Sequence, residues 1–145
     1  MKKFYLAHPF DSRTVIREWE LRVEKQFDVE LLNPFYDIED RTDVEERDAG
    51  RAERYEKIIP SDLVERDIQY VLKSGGLVGI VDGSVSYGTI MEIVYANIFR
   101  KPVYLIVTNG QYKHPWLIHH ASRIFLSFEE FENWLQIKDD SNVSK

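Results

Sequence analysis

Five short, unbroken apolar runs with helical patterns between them are what most constrain the fold of this chain. They are "KFYLA" (3–7), "DVELL" (28–32), "LVGIV" (77–81), "PVYLIV" (102–107) and "RIFLS" (123–127). A strand with one wet face alternates apolar with polar residues, whereas a continuous run suits a parallel strand covered on both faces. Between the runs, residues 12–26 place Val15, Trp19 and Val23 on one helical stripe, with Ile16 beside it and Ser12 as the candidate N-cap. Residues 61–73 start at Ser61 after Pro60 and stop at "SGG". Residues 88–100 and 128–138 form two further helices, and 114–121 a shorter helical turn. This alternation predicts one α/β domain over 1–138, a doubly wound, flavodoxin-like five-stranded parallel sheet of order 2-1-3-4-5. The segment "DDSNVSK" (139–145) reads as a disordered tail.

At 145 residues the chain can bury one substantial core. A formal charge of −6 with no basic stripe argues against polymeric nucleic acid or an anionic membrane as partner. Cysteine is absent, which excludes disulfides and thiolate metal sites. The opening "MKKFYLAHPFDSR" shares only its lysines with a secretory leader, because His8, Pro9 and Asp11 break a short apolar run. The default expectation is a cytoplasmic protein.

In an open parallel sheet of this order, ligands bind beyond the carboxyl ends of strands 1 and 3, where the strand order reverses. Strand 1 leads into "AHPFDSR", with His8, Pro9 and Phe10, and strand 3 into "DGSVSYGT", with Asp82, Ser84, Ser86 and Gly88. Closely following is Glu92, the one charged residue between Gly83 and Phe99, sharing its helical face with Gly88, Tyr95, Ala96 and Phe99. A helix start favours an anion there, and an apolar surround leaves its oxygens poorly solvated, as suits a nucleophile. The plainer reading is a glutamate that answers the helix dipole. Asp67 falls on the stripe of Leu63, Val64 and Val71, while Glu65 and Arg66 point elsewhere. A carboxylate on a core-facing stripe needs a partner or a chemical role. The alternatives are acid/base work beside Glu92 and a salt bridge to a local arginine. Tyr5 projects from strand 1 near the crevice, or else is a core tyrosine with a satisfied hydroxyl. Ser84 and Ser86, at a helix start, could hold hydroxyls or a phosphate. His119 and His120 lack a companion ligand set and read as structural or surface residues. "SGGLVG" has neither the spacing nor the place of a dinucleotide fingerprint. Residues 37–60 are charge-dense and too long for a simple connection, and read as a lid, a subunit contact or a solvated helix.

These residues resemble the nucleoside 2-deoxyribosyltransferase family, whose relatives include 2′-deoxynucleoside 5′-monophosphate N-hydrolases. "KFYLAHPF", "ERDIQYVLKSGGLVGIVDG" and "SYGTIMEIVYANIFRKPVYLI" carry the likeness, most specifically the Gly-Thr-x-x-Glu segment ending at Glu92. The resemblance implies Glu92 as the nucleophile at C1′ of a deoxyribose and Asp67 as the acid that protonates the departing base. Tyr5 would orient the nucleophile, and the sugar would pass through a covalent glycosyl–Glu92 intermediate to a second base, or to water in the hydrolases. It also implies a small-molecule deoxynucleoside or deoxynucleotide and a free nucleobase as partners, a homo-oligomer, and no metal or organic cofactor. Ser86 stands six residues before Glu92, where the hydrolases carry a phosphate-contacting serine and well-known transferases an aspartate; Asp82 could supply a carboxylate by another route. Against the hydrolase, "AHPFDSR" replaces a glycine-rich phosphate-binding run, although Arg13 could offset Asp11. "KHPWLIHHAS" has no Asn or Ser at the position where, in the family, a neighbouring subunit often completes the pocket. Transferase therefore ranks first and nucleotide hydrolase second. A non-catalytic nucleotide-binding domain is the more distant alternative. A receiver-like domain with Asp82 as phospho-acceptor lacks its acidic pair and its lysine. Trp19, Trp116 and Trp134 offer apolar surface for subunit contacts, with core packing the expected role of Trp19 and Trp134.

Overall fold

The computed structural model describes residues 2–38, 41–48, 55–84 and 86–143. Five strands form one parallel sheet: β1 (Lys2–Ala7), β2 (Val29–Leu32), β3 (Leu77–Val81), β4 (Val103–Val107) and β5 (Arg123–Phe125). They lie in the order β2-β1-β3-β4-β5, as expected. Ala7 stands opposite Gly79 at the end of the β1–β3 pairing, which puts the strand-order reversal beside the loops that follow β1 and β3.

Both sheet faces are covered, which explains the unbroken apolar runs. Side chains alternate along β1. Phe4 and Leu6 enter the cluster of Ile16, Trp19, Val23, Phe131 and Trp134, from α1 (Arg13–Gln26) and α6 (Phe128–Val143). Tyr5 and Ala7 enter the opposite cluster, with Val71 of α3 (Pro60–Lys73) and Ile93 and Ala96 of α4 (Tyr87–Ile98). Gly79 lets that layer close tightly, since a Cβ there would come within 2.8 Å of Leu105 Cδ2 and 3.3 Å of Ile93 Cδ1.

Several local expectations change. The buried stripe of α1 is Ile16, Trp19, Glu20 and Val23, and Val15 is 69% exposed. Ser12 occupies the N-cap position, but its side chain makes no capping bond. Helix α3 starts at Pro60, whose missing N–H costs nothing at a first helical position. Helix α4 stops at Ile98, and Arg100 takes a left-handed φ of 60° in the turn to β4. The chain of α6 continues as helix to Val143, so residues 139–143, expected as tail, are helical; 144–145 lie outside the described residues. Within the 37–60 segment, α2 (Thr42–Asp48) buries Asp43 and Val44, which a wholly solvated helix would not do. Residues 39–40 and 49–54, also part of that expectation, lie outside the described residues. The expected turn near 114–121 is α5 (Pro115–His120). Trp19 and Trp134 are buried, while Trp116 is 70% exposed.

Candidate active site

Tyr5 and Glu92 meet at the crevice, and the charge of Asp67 acts on both. Tyr5, fully buried on β1, donates its hydroxyl hydrogen bond to Glu92 Oε2 on α4. Asp67 on α3 lies close enough for its charge to raise the carboxyl of Glu92. The alternation of β1 explains the meeting, because Tyr5 faces the layer that α3 and α4 cover. Tyr5 is thus a core tyrosine whose hydroxyl is satisfied by Glu92.

Burial, then the Asp67 charge, push Glu92 up to about 8, while the Tyr5 hydrogen bond and the charges of Arg47 and Arg66 oppose them. Burial and the charges of Glu92 and Asp67 hold the Tyr5 hydroxyl well above its usual range, so it remains a donor. Burial also raises Asp67, and Arg66 opposes the rise.

Glu92 lies one turn deeper in α4 than a first-turn residue, where the effect of the helix end has faded. Tyr5, not the helix start, is what supports its anion. Much of the apolar character of α4 turns outward: Tyr87, Ile90, Met91 and Ile98 are exposed. The expectation that Arg66 points elsewhere fails. Its Nε lies 3.0 Å from Asp67 Oδ1, and Nη1 lies 3.4 Å from the buried Asp43 Oδ1 of α2. The local salt bridge considered for Asp67 is thus present, alongside its coupling to Glu92. Of the stripe proposed for Asp67, Val71 is buried but Val64 is exposed.

The loop after β3 turns at Gly83, which has a φ of 96°. Asp82 Oδ1 accepts the Ser84 N–H at 3.0 Å. Ser86 caps α4: its Oγ accepts the Thr89 N–H at 3.2 Å and donates to Thr89 Oγ1 at 2.6 Å. Its hydroxyl is thereby committed to the helix start. Gly88 is exposed and faces Glu92, and a Cβ there would sit in ordinary contact, 4.0 Å from Oε1.

The loop after β1 rests on a buried polar chain that no sequence pattern announces as a unit. His8 Nδ1 donates to Pro9 O at 2.9 Å, and Nε2 lies 2.9 Å from Asn33 Oδ1. Asn33 Nδ2 donates to Glu20 Oε1 at 2.7 Å, and Arg17 Nη1 meets the same oxygen at 3.1 Å. Burial pushes the fully buried Glu20 up to about 7 and pushes His8 down. Phe10 packs edge-on to Phe35, with ring centres 5.6 Å apart. The one signal that could have found this chain is Glu20 following Ile16 by four residues on an apolar stripe.

Helix α2 lies beside this site. Asp43 meets Arg66 of α3, and Asp48 accepts from Arg13 of α1. The Arg47 guanidinium carbon is 5.3 Å from the ring centres of both Phe10 and Phe35. A hollow of about 130 Å³ between the starts of α2 and α3 is lined by Asp43, Asp62, Leu63 and Arg66 among others, but by neither Glu92 nor Asp67. A second, of about 280 Å³, lies between α4 and α5. His120 is buried, with Nδ1 donating to Trp116 O at 2.6 Å, and His119 is exposed.

The strand order and the helices on both faces define a doubly wound, flavodoxin-like domain, with Tyr5 and Glu92 joined beside the strand-order reversal. Solved structures share this fold. A 2-deoxyribosyltransferase from Bacillus psychrosaccharolyticus is similar with a TM-score of 0.65 and 19% identity over 90% of each chain. A CMP N-glycosidase from Clostridium botulinum is similar at 0.58 and 18%, over 94% of this chain and 99% of that one. A conserved protein from Enterococcus faecalis V583 is similar at 0.62 and 18%, over 95% and 99%. No protein-family profile matches the sequence, and no curated protein matches it.

Proposed function

We propose that the protein is an N-glycosyl enzyme that cleaves the bond between base and sugar in a 2′-deoxynucleoside or its 5′-monophosphate, with Glu92 as nucleophile. The observation that carries this reading is Tyr5 joined to Glu92 at the β1–β3 crevice, with the charge of Asp67 acting on both. The structural neighbours that act on nucleoside or nucleotide glycosidic bonds add support at the level of fold.

In the proposed reaction a Glu92 oxygen bonds to C1′ as the C1′–N bond breaks. The electron pair of that bond leaves with the base, which takes the proton of Asp67. The resulting ester is attacked at C1′ by a second nucleobase, whose proton passes to Asp67, and Glu92 leaves as carboxylate. With water as acceptor the same steps give hydrolysis. Tyr5 holds the attacking carboxylate in place and shares its negative charge. Pro9, Phe10 and Gly88 would border the sugar, with His8 setting the loop and Asp82 and Ser84 reaching its 5′ end.

The test is incubation with deoxyadenosine, deoxyinosine, thymidine and the matching monophosphates, with and without a second base. Exchange of bases assigns a transferase, and free sugar or sugar phosphate a hydrolase. Glu92→Ala should lower turnover by roughly 10³-fold or more. If no substrate releases its base, the reading is wrong; a non-catalytic binding domain would keep its affinity in that variant.

The reading extends to self-association across α4 and α5. Tyr87 is 77% exposed and Trp116 70%, with Ile90, Met91, Ile98 and Ile118 also exposed. Light scattering should give a multiple of the chain mass, reduced by Met91→Glu together with Trp116→Glu.

A further inference from the structure

We propose that Arg47 anchors the phosphate of a nucleoside 5′-monophosphate, an inference that rests on the glycosyl reading of the same crevice. Helix α2 is fastened at both ends, by Asp43 to Arg66 and by Asp48 to Arg13. Arg47 is carried between the two fastenings.

The arginines around the crevice differ in what they face. Arg13 meets Asp48 and donates to Phe10 O, Arg17 meets Glu20 and Asp37, and Arg66 meets Asp67 and Asp43. Arg47 makes no ion pair among the described residues, and its guanidinium carbon lies 5.3 Å from the ring centres of Phe10 and Phe35 and 6.0 Å from that of Tyr55. Among the described residues its Nε is shut off from solvent and meets no hydrogen-bond acceptor. A desolvated donor left without a partner is costly. It is explained by an acceptor that arrives with the ligand.

Position and chemistry define that acceptor. Arg47 rides on the helix that Asp43 ties to Arg66, the ion-pair partner of Asp67, and its charge opposes the rise of both Asp67 and Glu92. It rests on Phe10, in the loop that follows β1. The planar fork of an arginine matches phosphate oxygens and stays protonated. The loop after β3 is poorly equipped to hold a phosphate, because the Ser86 hydroxyl is bonded to Thr89 and the Asp82 carboxylate repels an anion while still able to accept from a 5′-hydroxyl. The phosphate anchor therefore comes from α2 instead of from a glycine-rich loop.

Two measurements test this on the full chain. The first is kcat/KM for a deoxynucleoside and for its 5′-monophosphate in the unaltered protein, Arg47→Gln and Arg47→Lys. The expected preference for the monophosphate is roughly 10- to 100-fold. Arg47→Gln should collapse it, with Arg47→Lys between. Equal values in the unaltered protein overturn the proposal. So does an equal fall for both substrates in Arg47→Gln, which would assign the guanidinium to the carboxylates. The second is calorimetric binding of the same pair of ligands to Glu92→Ala protein, with and without Arg47→Gln. Tighter monophosphate binding that depends on Arg47, without base release by the unaltered protein, would retain the anchor and discard the glycosyl reading. Equal binding of the two ligands would discard the anchor whatever the turnover. Circular dichroism melts of the Arg47 variants establish that they are folded.

Discussion

Asp67 sits 3.0 Å from the guanidinium of the residue directly before it, Arg66. Consecutive helical residues diverge by about 100°, so the contact exists because the long Arg66 side chain folds back. It then continues to Asp43 on α2. Arg66 thus joins the proposed acid to the helix that borders the site.

Removing that guanidinium should move both limbs of the pH–rate profile. Arg66 holds down the carboxyls of Asp67 and Glu92. In Arg66→Gln both should titrate higher, so the acidic and alkaline limbs of kcat/KM shift to higher pH. Asp43 would also lose a charge partner while buried, at a cost of roughly 3 kcal/mol in denaturant unfolding.

Stability should fall as the solution is made alkaline. Burial raises Glu92 from 4.5 to about 8 and Glu20 from 4.5 to about 7. Within those windows the folded state keeps a proton that the unfolded chain has released, so stability is lost as pH rises through them. Thermal melts from pH 5 to about 8 should show a declining Tm. The decline should flatten in Glu92→Gln across its full window and in Glu20→Gln up to about pH 7.

The same values set a condition on catalysis. Burial raises the carboxyl of Glu92, whereas the proposed chemistry needs it ionised with a proton on Asp67. Tyr5 favours the productive arrangement by bonding to the ionised Glu92. Tyr5→Phe should lower kcat by roughly tenfold and move the acidic limb to higher pH. An unchanged profile would remove Tyr5 from the mechanism.

Packing behind the site should be equally sensitive. Gly79→Ala would drive a methyl group toward Leu105 and Ile93, the residue next to Glu92. Overpacking of this kind costs about 1–3 kcal/mol. Urea unfolding should show that loss.

Much of this architecture is legible in the sequence. The strands are visible because burial on both faces leaves them unbroken, and β3 is delimited at 77–81 as found. Glu92 and Asp67 stand out as charges among apolar neighbours. Glu20 gives the same signal but is masked, since Trp19 also fits a stripe through Val15, which is exposed. Asn33 and Arg47 are invisible for a different reason. Their importance comes from contacts with distant parts of the chain, which no local period records. Ser86 has the pattern of a ligand-holding residue, whereas its hydroxyl serves the start of α4.

The sheet's outer strands have a bearing on assembly. β2 and β5 have four and three residues, which leaves little length for a foreign strand to extend the sheet on either side. Copies of this chain that come together will therefore meet through helices. Their union can then leave the carboxyl ends of the strands unobstructed.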